Sequence, residues 1–196
     1  MDEIEKSEVD YSGRPLLKWA GGKRALASEI IPLLDGYDRY FEPFFGGGAV
    51  FFQLCPKSAV LSDLNPELIN CYETTKSHPE ELIASLKRLK NTQDIYYKVR
   101  ASAPRTPVTR AARFIYLCAL SFNGIYRVNL SGQFNVPYGH KDHLDPCDAD
   151  LIRSISKRLQ TCEISCADFE QSALKAIAGD CVYFDPPYTV AHGNNG

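Results

Sequence analysis

Hydrophobic positions along this chain follow two rhythms. Short unbroken apolar runs ending in glycine or acidic residues occupy the first third and return near the end, while leucines recur at helical spacing in between. Short runs bounded by turn residues mark strands buried on both faces, and recurrence every three or four positions marks helices. The first third predicts a helix over 24–34 stopped by Asp35-Gly36, and a short strand at Tyr40-Phe41-Glu42-Pro43. A buried helix over 49–54 and a strand over 59–63 follow. Asn65 then suits an N-cap, with Pro66 in the first helical position.

The rhythm changes near Ser77. Leu82, Leu86 and Leu89 predict a helix over 79–89, a second helix covers 109–120, and 122–140 is rich in Asn, Gly, Tyr and Phe, as expected of a loop or hairpin. Alternation then resumes with a helix over 148–159, a strand at 163–165, a helix over 172–178 and a strand at 181–184. This order predicts an α/β fold, a Rossmann-like doubly wound sheet carrying an inserted, mostly helical segment. The expected division is a first half of the sheet domain over 1–76, the insertion over 77–145, and the sheet domain continued over 146–196. Residues 2–12 are expected to form a loose arm.

Composition narrows the class. With 44% hydrophobic and 23% charged residues the chain is globular. No apolar run is long enough to span a bilayer, and the acidic N-terminus lacks the features of a secretion signal. Seven cysteines without a Cys-x-x-Cys pair are expected to act as small buried hydrophobes, and no metal is expected. The net charge of −2 argues against nucleic acid, but its distribution argues otherwise. Residues 76–141 carry eleven Lys and Arg against three Asp and Glu, and the remainder carries eleven against twenty-one. A basic middle between acidic flanks fits a segment that meets a polyanion; a solvated helical surface has the same composition.

Asp185-Pro186-Pro187-Tyr188 directly follows an apolar strand. Ligands of open α/β sheets bind beyond the carboxyl ends of strands, so a site is expected here. The Asp185 carboxylate and the Pro186 carbonyl supply two acceptors. They suit the two hydrogens of a poorly nucleophilic aromatic amine such as adenine N6, and stabilise the charge that develops there. Two prolines fix the backbone and remove donors. Tyr188 offers a ring to stack on a base taken out of a duplex. The same four residues also make a plain rigid turn.

Two more motifs precede it. Phe41-Glu42-Pro43-Phe44-Phe45-Gly46-Gly47-Gly48 is a glycine turn after a strand, where a ligand can approach the backbone closely. Asp63, at the end of the next strand, is placed to bind ribose hydroxyls. Leu17-Lys18-Trp19-Ala20-Gly21-Gly22-Lys23 holds the single Trp between lysines and glycines. In the basic segment, the runs 122–129 and 132–139 mix Arg, Asn and aromatics, the residue types that meet phosphates, base edges and unstacked bases.

These motifs, in this order, resemble the Dam-like DNA adenine N6-methyltransferases, and the resemblance covers 15–196. It implies S-adenosylmethionine as cofactor, held by Trp19, Lys23, Glu42, Phe44, Gly46, Gly48, Asp63, Asp168, Phe169 and Asp185. It implies double-stranded DNA with a flipped adenine as partner, contacted by Lys18, Phe122, Asn123, Ile125, Arg127, Asn129 and Pro137. Asp185, Pro186, Pro187 and Tyr188 are the implied catalytic residues, and GATC or a related Gly-then-Ade site the implied target. Phe122 stands where Tyr is common. Family members continue past the Asp-Pro-Pro-Tyr motif, so the chain is expected to be a portion of a longer sheet domain, of cytoplasmic bacterial or phage origin. A DNA-binding remnant without catalysis is the alternative. A nicotinamide enzyme is disfavoured, since no Gly-x-Gly-x-x-Gly is present.

Overall fold

The computed structural model describes residues 13–187. Its centre is a four-stranded, wholly parallel sheet: β1 (Tyr40–Glu42), β2 (Ala59–Asp63), β3 (Cys162–Cys166) and β4 (Cys181–Val182), in spatial order β3-β2-β1-β4. β1 is buried throughout and β2 through Ser62, as the unbroken apolar runs require of strands covered on both faces. Tyr40 pairs with Ala59 on one side and Cys181 on the other, so β1 is a central strand. Arg39 grips the buried Asp180 carboxylate at 2.6 Å and fixes where β1 and β4 begin.

The sheet grows from β1 to β2 to β3 in one direction, and then β4 is added on the opposite side of β1. The connections therefore reverse between β1 and β4. In an open α/β sheet this switch point opens a crevice at the carboxyl ends of the two strands.

Among the described residues, eight short to medium helices accompany the sheet. α1 (Ala27–Ile30) runs into a 3-10 turn over Ile31–Leu33, and α2 (Ala49–Leu54) follows the glycine turn. α3 (Pro66–Ser77) starts as foreseen, the Asn65 side chain accepting the N–H groups of Glu67 and Leu68. α4 (Pro79–Leu86), α5 (Gln93–Ala101) and α6 (Pro107–Leu120) come next, then α7 (Ala149–Leu159) and α8 (Phe169–Ala173). α6 buries Phe114, Ile115, Leu117 and Leu120, and α7 buries Leu151, Ile152, Ile155 and Leu159, in one continuous core with Tyr72 of α3 and Phe45, Phe51 and Phe52 around α2.

Several boundaries differ from expectation, for local reasons. The first helix starts at Ala27 rather than Arg24, since 24–26 form a turn closed by the Leu26 N–H on the Lys23 carbonyl, and Pro32 tightens its end into the 3-10 turn. The 79–89 helix stops at Leu86. α5 lies in a stretch left unassigned, although Thr92 caps it through the Ile95 N–H and Lys98 and Arg100 close its last turn. The helix expected over 172–178 occupies Phe169–Ala173, because Asp168 caps it early, accepting from the Glu170 N–H. β4 ends at Val182, though Tyr183 still donates to the Phe41 carbonyl. Cys55 and Cys166 are exposed rather than buried. The expected arm at 2–12 lies outside the described residues.

Candidate active site

The crevice between β1 and β4 is a cavity of about 490 Å³. Three of its walls come from the three motifs. The glycine turn supplies Glu42 to Val50, the Trp19–Lys23 segment forms one side, and Asp185, Pro186 and Pro187 form the other. Asp63 and Phe169, at the ends of β2 and β3, complete the rim with Leu64 and Tyr183. Residues far apart in the chain thus converge where the sheet topology places a ligand.

The turn is built so that backbone, not side chain, faces the cavity. Gly46 and Gly48 take φ of +49° and +65°, in the region that disfavours side chains. A Cβ on Gly46 would come within 2.8 Å of the Trp19 ring, and one on Gly48 within 2.6 Å of the Phe45 ring. Asp63 holds this turn in place. One carboxylate oxygen accepts the Gly46 N–H at 3.0 Å, and the other accepts the Asn65 N–H at 2.9 Å. The carboxylate therefore ties the end of β1 to the start of α3, besides facing the cavity.

Three titratable side chains line the base of the cavity. Lys23 Nζ lies 2.5 Å from Asp185 Oδ1, with both side chains mostly shielded from solvent. Lys23 also donates to the Gly21 carbonyl. Glu42 is buried, and the Tyr40 hydroxyl donates to it at 2.9 Å. Burial, with a smaller contribution from neighbouring Asp185, pushes the Glu42 carboxyl up to about 8; the Tyr40 hydroxyl and the Phe51 N–H pull the other way. Phe44 stacks on Phe169 at 5.3 Å, and Phe184 closes on both rings at 6.3 Å, making an aromatic corner at the mouth.

Of the expected cofactor residues, Trp19, Lys23, Glu42, Phe44, Gly46, Gly48, Asp63, Phe169 and Asp185 all line this one cavity. Asp168 does not; its carboxylate caps α8 beside it. Tyr188 lies outside the described residues. Sequence reasoning passed over Tyr183 and Tyr40. Tyr40 stands two positions before Glu42 in β1, which means the same face of the strand, and Tyr183 stands two positions before Asp185.

The expected DNA residues cluster elsewhere. Residues 121–138 leave α6 through a 3-10 turn over Phe122–Gly124 and return as a loose hairpin, with bridges Ser121–Tyr138 and Val128–Phe134. Phe122, Asn123, Ile125, Arg127, Asn129 and Pro137 are all exposed on it. Arg127 Nε donates to the Asn135 side chain at 2.8 Å. The Asn129 side-chain oxygen is engaged within the hairpin, accepting the Ser131 and Gln133 N–H groups. Lys18 is exposed and packs along Gly124, which brings it to the same surface, near Lys141. Burial and, less strongly, nearby Lys18 lower the Lys141 ammonium's proton affinity.

The cations of the basic 76–141 segment divide between the fold and the surface. Lys76, Arg100, Arg113 and Lys141 donate to backbone carbonyls of the fold, and Arg110 pairs with Glu67 at 2.5 Å. Lys87, Arg88, Lys90, Lys98, Arg105 and Arg127 remain at the surface. Among the described residues, no helix is long and apolar enough to cross a membrane, and no cluster of His, Cys, Asp and Glu is arranged to hold a metal.

Comparison with known proteins agrees with this geometry. The profile of the family described as D12 class N6 adenine-specific DNA methyltransferase matches residues 19–195. The type II methyltransferase M1.LlaDCHI of Lactococcus lactis subsp. cremoris is 44% identical over 199 residues, covering 96% of this chain and 69% of that protein. The type II methyltransferase M.MjaIII of Methanocaldococcus jannaschii is 39% identical over 199 residues, covering 89% of this chain and 69% of that protein. The DNA adenine methylase of Haemophilus influenzae is 36% identical over 184 residues, covering 89% and 64%. A glycine turn and an Asp-Pro-Pro motif sharing one crevice, in a chain matched from Trp19 onward, lead to one conclusion: the protein belongs to the D12 class of N6 adenine-specific DNA methyltransferases.

Proposed function

We propose that the crevice between β1 and β4 binds S-adenosylmethionine and an adenine that has left its duplex, and that the chain methylates N6 within a Gly-then-Ade site, GATC in the first instance. The observation that carries this reading is the convergence of Asp185-Pro186-Pro187 with the Gly46–Gly48 turn and Asp63 on one cavity.

The residues present fit such a cofactor. The missing Cβ atoms of Gly46 and Gly47 let Trp19 close on the turn, and the cavity is lined by the turn's backbone beside it, where a ligand can lie close. Asp63 at the end of β2 suits ribose hydroxyls. The rings of Phe44 and Phe169 suit the flat faces of a purine. Asp185 sets a carboxylate toward a cationic donor, and Glu42, protonated below about pH 8, lines the same wall as a neutral polar group. When bound, S-adenosylmethionine supplies a methyl group on a positively charged sulfur.

The rest is the work of this chain. The Asp185 carboxylate and the Pro186 carbonyl accept the two N6 hydrogens and turn the nitrogen lone pair toward the methyl group. As the C–N bond formed, the bond from that methyl to sulfur would break and leave a neutral thioether, while positive charge would grow on N6 beside Asp185, whose carboxylate would stabilise it and take the proton that N6 sheds. Lys23, paired with one Asp185 oxygen, orients the carboxylate in its slot. Tyr188, adjoining Pro187 in sequence, is assigned the stacking of the flipped base.

We assign residues 77–145 to target recognition, between the two parts of the sheet domain at 1–76 and 146–196. Phe122 is placed to enter the base stack, Arg127 to meet guanine O6 and N7, and Ile125 and Pro137 to touch a thymine methyl. Lys18, Asn123 and Asn129 contribute further contacts at that surface. Tritiated methyl transfer from S-adenosylmethionine to unmethylated DNA, followed by mapping of methyladenine, is the test. Label incorporated only at Gly-then-Ade sites supports the reading. A chain that binds DNA but transfers no label is the remnant alternative, and methylation without a 5′ guanine overturns the target assignment.

A further inference from the structure

Tyr126 carries an arrangement that neither the motifs nor the proposed chemistry uses. It sits between Ile125 and Arg127, whose side chains face outward, while its own ring turns into the protein. There it stacks on Trp19 with ring centroids 5.4 Å apart and planes 22° from parallel. Phe114 of α6 and Phe134 of the hairpin's return limb hold the same ring from the other directions, at 5.0 and 5.7 Å. Its hydroxyl lies against the Asn65 side chain.

Two of these neighbours, Trp19 and Asn65, flank the glycine turn. Trp19 lies flush on it: a Cβ on Gly46 or Gly47 would fall within 2.8 or 2.9 Å of Trp19 atoms. Asn65 reaches it from the opposite side, since its N–H and that of Gly46 share the Asp63 carboxylate. One side chain of the hairpin thus touches both supports of the turn that walls the cavity. The step from Tyr126 to Arg127 is a single peptide, and the Arg127 carbonyl is held by the Asn135 N–H at 3.1 Å. A shift of the Trp19 ring cannot leave the Arg127 backbone unmoved while packing is kept, because close-packed rings transmit displacement rather than absorb it.

We propose that Tyr126 is a positioning residue that couples the cofactor pocket to the DNA-reading hairpin, so that occupancy of each site tightens the other. This deepens the reading above and rests on it. Coupling of binding free energies is reciprocal, so it is measurable from either ligand. The mechanism is mutual ordering: a cofactor against Gly46 presses Trp19 on Tyr126, and DNA against Ile125 and Arg127 presses Tyr126 on Trp19.

The experiment titrates S-adenosylmethionine into the chain calorimetrically, alone and with a saturating unmethylated duplex carrying GATC among other Gly-then-Ade sites. The wild type is expected to bind the cofactor roughly 5-fold or more tightly when the duplex is present. Tyr126→Leu is expected to bring that ratio near one while still binding each ligand singly, and Tyr126→Phe, which keeps the ring, to retain most of it. A wild-type ratio in Tyr126→Leu overturns the inference and leaves the proposed function standing; so does a ratio of one in the wild type. Failure of the wild type to bind S-adenosylmethionine at all overturns both. Should the leucine variant not fold, Trp19 emission decides, since it is the single Trp of the chain. Duplex added to the cofactor-free wild type must change that emission, and an unchanged spectrum under saturating DNA overturns the coupling.

Discussion

The cavity and the hairpin are built to opposite standards. The cavity stands on a sheet whose central strand is fully buried, and its turn is pinned by a carboxylate that accepts two backbone N–H groups. The hairpin is exposed along most of its length and is joined across its limbs by two isolated bridges and a few loop hydrogen bonds. Chemistry tolerates little misplacement, since a small displacement of a reacting group costs orders of magnitude in rate. Base reading tolerates more, because side chains on a loop can be exchanged without disturbing a core. The molecule thus separates what must stay fixed from what can vary, and the two meet through a few aromatic rings.

The sharpest way to break this contrast is Asp185→Ala. Methyl transfer is expected to fall by about 10²-fold or more, with duplex affinity nearly unchanged, because in the proposed chemistry the lost group acts on charge that exists only in the transition state. Single-turnover rates beside gel-shift affinities measure both. Turnover within a few-fold of wild type removes Asp185 from the chemistry.

Arg127→Ala tests the other side. A bidentate Arg–guanine pair carries about 1–3 kcal/mol of discrimination, so preference for the 5′ guanine is expected to relax by roughly 5- to 150-fold while single-turnover rate on the original site changes less. Competition between duplexes differing at that base is the measurement. If turnover collapses on every sequence equally, Arg127 serves the cavity rather than the reading surface.

A smaller effect sharpens the account of the cavity. Burial makes the Glu42 carboxyl keep its proton in the fold up to about pH 8, whereas in the unfolded chain it releases it near the ordinary value of about 4.3. The folded state therefore binds the extra proton between those limits. That contribution is complete below pH 4.3 and declines as the pH climbs to 8. Glu42→Gln is expected to flatten the fall of melting temperature between pH 5 and 8, followed calorimetrically across that range. An unaltered slope means that Glu42 is ionised in the fold.

The smallest expected effect is none. Arg110 is held by Glu67, so Arg110→Gln should leave the log–log salt slope of duplex binding unchanged, whereas losing one phosphate contact shifts it by about 0.9. A shift of that size places Arg110 on the DNA.

The same contrast governs what could be read from the residues alone. Strands β1 and β2, the Asn65 cap and the walls of the cavity were legible because each depends on neighbours in sequence: apolar runs, a cap followed by proline, glycines after a strand. The convergence of Asp185 with Lys23 was not, since nothing local records an ion pair spanning the chain. Charge counting could not tell which cations of the 76–141 segment reach solvent, for a like reason. Arg113 and Lys141 look like surface cations in sequence, yet both donate inward to backbone carbonyls. The role of Tyr126 was hidden among the exposed residues beside it. Helix α5 was missed although its Thr92 cap and basic last turn lay in view, because only Ile95, Tyr96 and Val99 mark its apolar side.

The base of the hairpin has a consequence for remaking this protein. Phe122 donates to the Pro137 carbonyl at 2.9 Å and Gly139 to the Leu120 carbonyl at 2.8 Å, so the segment leaves and re-enters the body at one point. A loop whose ends are already pinned together costs only about 0.6 kcal/mol more for each doubling of its length. The stretch between those two pins is therefore a natural cassette. Foreign recognition loops of quite different length can be grafted there, provided that the grafted loop keeps one aromatic ring facing Trp19.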